Sequence, residues 1–144
     1  MLLSLSDDLI RLLSQEGLIS GKLAKEGFSG PLLATLLATA WIQTGFCEEL
    51  LFRGFVAKRL IARLGFFSGN VLQAIIFASV HVPFIFLLPE EFQTSATFMF
   101  LGFMPFVSSM LWCYINEKHA GGSIIPSWIM HGLGNTIAYL SPIL

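Results

Sequence analysis

The chain has 144 residues, of which 55% are hydrophobic and only 12% charged, and its mean hydropathy is +0.77. Soluble domains carry roughly a quarter charged residues, so a soluble single domain is a poor fit, and a formal net charge of −1 offers no basic surface to nucleic acid. The expected fold is all-α, a polytopic membrane helix bundle of about four transmembrane helices with an N-terminal amphipathic helix. It divides into an N-terminal interfacial segment, residues 1–30, and a membrane core, residues 31–144.

At the N-terminus, Asp7 and Asp8 interrupt the apolar stretch that a signal peptide needs, and no basic residue precedes it. Leu5, Leu9, Leu12 and Leu13 recur at helical spacing, with Asp8, Arg11 and Glu16 elsewhere on the wheel. Such a helix lies in the membrane interface or packs on protein. A glycine-containing linker, residues 21–30, follows. Pro31 then opens a helix expected to run past Glu48 to about Arg63, apolar between Pro31 and Cys47 and basic at its end through Lys58, Arg59 and Arg63.

The second span is expected from Ser68 to about Leu88, kinked at Pro83. An acidic turn, Glu90 and Glu91, leads to a third span from Ser95 to Ile115 with Pro105 inside. The polar stretch NEKHAGGS reads as a loop in which His119 is solvated. The fourth span begins near Ile124 and contains Trp128, His131, Asn135 and Tyr139. Cys47 and Cys113 lack any CxxC or Cys/His ligand spacing and read as packing residues. The positive-inside rule puts the N-terminus outside and Lys58, Arg59, Arg63 and Lys118 in the cytoplasm.

An ionisable group in hydrocarbon costs at least about 2.5 kcal/mol on insertion scales, yet the spans hold several. Glu48, Glu49 and Arg53 lie in CEELLFRG, His81 ends FASVH, and His131 and Asn135 lie in WIMHGLGN. With a rise of about 1.5 Å per residue, Glu48 and His131 fall roughly 15 Å from the cytoplasmic ends, and His81 and Asn135 roughly 20 Å. Three helices thus bring polar side chains to similar depths.

Glu49 and Arg53, four apart, can pair and offset each other's burial. That leaves Glu48, turned about 100° away, as the available carboxylate. Phe77 lies four before His81 and can pack beneath its imidazole. His131 and Asn135, also four apart, can both donate toward one oxygen. Together these groups match the needs of amide hydrolysis: a carboxylate to take a proton from water, an imidazole to position it, and donors for an oxyanion. Glu48, His81 and His131 equally form a ligand set for a divalent metal such as Zn²⁺. The serine, GxGD and HExxH motifs of other intramembrane proteases are absent from the sequence.

EExxxR, FxxxH and HxxxN in this order, each in its own span, resemble the CPBP family of CAAX prenyl proteases and bacteriocin-processing enzymes, also called the Abi family. The resemblance covers residues 31–144. It implies an intramembrane endopeptidase in which Glu48, helped by His81, activates water while His131 and Asn135 steady the oxyanion, with Glu49, Arg53 and Phe77 in support. Members are commonly labelled metalloproteases, yet the same residues also read as a metal-free glutamate mechanism.

The implied partners are a peptide or prenylated-protein substrate and the lipid bilayer. The implied place is a bacterial cytoplasmic membrane, crossed several times, with the site opening to the cytoplasm. Family members usually have further spans before the first motif, so the resemblance also implies a minimal or truncated core, or one that associates with itself or another membrane protein. Two other classes compete: a non-catalytic immunity or scaffold protein whose buried charges hold helices together, and a transporter or proton path.

Overall fold

The computed structural model describes residues 10–15 and 17–144, and within them the chain is helical with no strand. The elements are α1 (Ile19–Glu26), α2 (Gly30–Leu37), α3 (Cys47–Glu49), α4 (Lys58–Leu64), α5 (Phe66–Phe86), α6 (Ser95–Phe98), α7 (Met104–His119) and α8 (Ile125–Leu140). Segments of wide, i→i+5 turns occupy Ala38–Phe46, Leu50–Ala57 and Met99–Phe103. Two compact units result, one of Met1–Cys47 with Trp128–Leu144 and one of Glu48–Ser127.

In the first unit, most of the amphipathic reading at the N-terminus lies outside the described residues. Its described part is helical over residues 10–13 and buries Leu12 and Leu13. The expected linker is largely helix α1: the Ser20 hydroxyl donates to the Leu13 carbonyl, and Leu23 is buried. Glycines 21 and 27 gave this stretch the look of a linker, but Gly21 is where α1 closes against the Gln15 backbone. Helix α2 starts as the sequence predicts. Pro31 falls in its first turn, where a missing N–H costs nothing, and the Ser29 hydroxyl accepts from the Leu32 N–H at 3.4 Å.

In the second unit, α5 starts two residues before the expected span and ends two before it. Gly65, at φ 78°, allows the chain to end α4 and begin α5 at a single residue. The buried stripe of α5 runs through Gly69, Asn70, Gln73, Ala74 and Phe77, the three-and-four spacing of one helical face. Pro83 stays inside the helix.

The third helix begins at Ser95 as expected, where Thr94 caps it by accepting from the Thr97 N–H at 3.3 Å. It runs to His119, so NEKH is its last turn and not a loop. Asn116 explains the difference: its amide donates to the Ser127 hydroxyl at 2.7 Å and its carbonyl accepts the Ser127 N–H at 3.3 Å. Lys118 and His119 also suit the negative end of a helix. The turn beyond is latched by Lys58, whose Nζ donates to the Gly122 carbonyl at 2.7 Å and lies 3.6 Å from Glu117.

Among the described residues, two helices are long and apolar enough to cross a membrane: Phe66–Phe86, mean hydropathy 1.6, and Ser95–His119, mean hydropathy 1.7. The expected first helix is present as an uninterrupted helical run, residues 30–64, in which α and wide-turn segments alternate, and the expected fourth, α8, has 16 residues. That is short of the roughly 20 that a helix needs to span hydrocarbon.

Candidate active site

The motif glutamates occupy α3, a single α turn between two stretches of wide turns. Wide turns of this kind recur at functional sites, where an added residue re-aims side chains. Glu49 and Arg53 pair as the spacing predicts: Arg53 Nη1 lies 2.9 Å from Glu49 Oε1, and both side chains are buried, at 1% and 0% exposure. The guanidinium carbon stands 4.1 Å from the centre of the Phe77 ring and 5.3 Å from that of Trp112. A desolvated cation on an aromatic face gains about 2 kcal/mol, which offsets part of the burial cost.

Phe77 joins these groups to the histidine. Its ring meets the His81 imidazole at 4.7 Å between centroids and is met edge-on by Phe52 at 4.9 Å. Its carbonyl takes the hydrogen bond of His81 Nδ1, at 2.8 Å. A carbonyl only accepts, so Nδ1 carries a proton and Nε2 is the ring nitrogen turned toward Glu48. Nε2 lies 3.8 Å from Glu48 Oε2, with both side chains half-buried. Glu48, Glu49, Arg53, Phe77 and His81 thus form one constellation within the second unit.

His131 and Asn135 belong to the first unit. His131 is buried at 7% exposure. Asn135 Nδ2 donates to the Thr44 hydroxyl at 2.8 Å, and that hydroxyl donates in turn to the Thr39 carbonyl at 2.9 Å. Trp41 fixes the same face of α8. Its indole N–H donates to Thr136 Oγ1 at 3.1 Å, and the Trp128 indole donates to the Trp41 carbonyl at 2.7 Å. Gly132, between the two motif residues, makes room for this indole: a Cβ there would come within 2.7 Å of Trp41 Cδ2.

Residues 30–137 match the family described as Rce1-like, type II CAAX prenyl endopeptidase. The chain belongs to that family. Comparison with curated proteins and with solved structures gave no match. Membership in an Rce1-like family makes the chain a member of a CAAX-type peptidase family of the membrane, in keeping with its two apolar helices. The match begins at the first residue of α2.

The ligand set expected for a divalent metal was Glu48, His81 and His131. A catalytic zinc takes three protein ligands, and among the described residues no group of three His, Cys, Asp or Glu side chains is placed to hold a metal ion. Glu48 and His81, with Nε2 3.8 Å from Oε2, would supply two of the donors to such an ion.

Sequence reasoning did not single out Trp112, Thr44 or Trp41. A tryptophan or hydroxyl in an apolar helix needs a partner for its donor, and that need was a signal. The partner's identity lay far along the chain.

Proposed function

We propose that this Rce1-like chain is an intramembrane endopeptidase that cleaves a peptide bond with water held between Glu48 and His81. The observation that supports this reading is the 3.8 Å separation of Glu48 Oε2 and His81 Nε2 with Nδ1 already committed to the Phe77 carbonyl. The carboxylate and the Nε2 lone pair are both acceptors, and a water oxygen at about 2.8 Å from each can donate to both.

Glu48 takes a proton as the water oxygen attacks the scissile carbonyl carbon, and the carbonyl π electrons move to its oxygen. Collapse of the tetrahedral species breaks the C–N bond, and Glu48 returns the proton to the leaving nitrogen. His81 orients the water throughout. By the family motif, His131 and Asn135 take the oxyanion. Asn135 has one N–H on Thr44 and keeps a second for a substrate oxygen.

The substrate is a peptide, either a prenylated protein of C-a-a-X type or a small bacteriocin-related peptide. The setting is a bacterial cytoplasmic membrane crossed several times, with the site open to the cytoplasm and a homo-oligomer or membrane partner as a further associate.

The test is cleavage of prenylated and unmodified peptide libraries by the purified protein in lipid, comparing wild type with Glu48→Gln, with and without chelator. Removing a general base is expected to lower kcat about 10²- to 10⁴-fold with thermal unfolding unchanged. Equal cleavage by the variant would sink the mechanism. Cleavage lost to chelator and restored by Zn²⁺ would replace the water pair with a metal site built on Glu48, His81 and His131. A folded wild type that cuts nothing would favour the non-catalytic immunity or scaffold reading.

A further inference from the structure

Beyond the motif residues, the second unit contains a buried polar network that the mechanism does not use. Ser109 Oγ donates to Gln73 Oε1 at 3.1 Å, while Gln73 Nε2 donates to the Ser109 carbonyl at 3.3 Å and to Asn70 Oδ1 at 2.9 Å. Asn70 Nδ2 donates to the Met110 carbonyl at 3.0 Å. Three of these four bonds cross from α5 to α7, and Gln73 and Ser109 are fully buried.

Gln73, Phe77 and His81 follow one another at four-residue intervals, so they share one side of α5. On α7, Trp112 lies one turn after Ser109 and faces Arg53, whose guanidinium stacks on Phe77. The network and the Trp112–Arg53–Phe77 stack therefore join the same two helices at successive turns. Sliding α5 by one residue, about 1.5 Å and 100°, would break all three crossing bonds and orphan polar groups in an apolar interior. Plain apolar packing has no such all-or-none register.

We infer that Gln73, through its bonds to Ser109 and Asn70, is a positioning residue that locks the rotation of α5 and thereby sets the separation of His81 Nε2 from Glu48. The inference rests on the peptidase reading above for its kinetic consequence, but the ring orientation can be read without it. A misplacement of about 1 Å at a reacting group can cost 10²-fold.

The experiment uses the full chain in lipid nanodiscs, as wild type, Gln73→Leu, and a triple variant Asn70→Leu, Gln73→Leu, Ser109→Ala. The triple variant removes the side-chain partners together, so no orphaned group remains to unfold it. ¹⁵N-histidine spectra, assigned with a His81→Gln control, report the His81 tautomer, and peptide cleavage reports kcat and KM. The expected result is a fixed Nδ1–H tautomer in wild type and an averaged His81 signal in the variants. It comes with a fall in kcat of roughly 10- to 100-fold at KM within about twofold. Unchanged His81 signals and kcat in a folded triple variant would overturn the inference. A wild type without Glu48-dependent cleavage would overturn the peptidase reading instead, and the His81 signal alone would then decide the role of Gln73.

Discussion

The two units hold their motif residues by different physics. In Glu48–Ser127, a buried ion pair, Glu49 with Arg53, is covered by the rings of Phe77 and Trp112. In the unit that contains α8, Asn135 is held by a neutral hydroxyl, Thr44, on a face filled by Trp41 and Trp128. Charge carries the first arrangement and shape carries the second. The first should therefore suffer most from losing a partner, and the second from gaining a methyl group.

The largest effect is expected from Arg53→Ala, which leaves Glu49 as an uncompensated buried charge and should cost about 3–5 kcal/mol. Thermal unfolding in lipid measures it. The double variant Glu49→Gln, Arg53→Met removes both charges and should recover much of that loss. If the single variant is as stable as wild type, charge does not hold this unit and the contrast fails.

An intermediate effect is expected from Gly132→Ala. The added methyl collides with the Trp41 indole in a packed face and should cost about 1–3 kcal/mol, seen as a lower unfolding temperature and a shifted tryptophan emission. A silent substitution would mean that the indole yields easily and that shape matters less here than argued.

The smallest effect is expected from Thr44→Val, which keeps the volume and removes two neutral bonds, the one accepted from Asn135 and a local one donated to the Thr39 carbonyl, of which the first should carry most of a cost of about 0.5–1.5 kcal/mol of stability. Its sharper readout is kcat, since Asn135 loses its anchor while its own amide remains. A variant that lowers kcat without changing KM would tie the Thr44 bond to the oxyanion role. Loss of KM alone would tie it to substrate binding.

Much of the second unit was legible in the sequence because its interactions are local. The four-residue spacings Glu49 to Arg53 and Phe77 to His81 set both contacts, and the ends of α5 fell within two residues of expectation because Gly65 punctuates the chain. What sequence reasoning missed was long-range or conformational. The partner of Asn135 lies 91 residues away, and four-residue spacing to His131 suggested a shared target without revealing Thr44. NEKH looked like a loop by composition, but its asparagine is satisfied by Ser127. Wide i→i+5 turns differ from α turns by about one residue per turn and leave no compositional trace, so the sequence showed the length of the first helix and not the wide turns within it.

Those wide turns bear on which insertions and deletions the gene can tolerate. Between Arg53 and Lys58 the backbone has fixed both a pairing with Glu49 behind it and a latch to the Gly122 carbonyl ahead of it. Adding one residue there would swing Lys58 by about 100° away from its acceptor, whereas deleting one, such as Gly54, would tighten a wide turn into an ordinary one and leave Lys58 nearly in phase. In this stretch the count of residues is constrained in one direction, and variation is expected to enter as substitutions or a single deletion more readily than as an insertion.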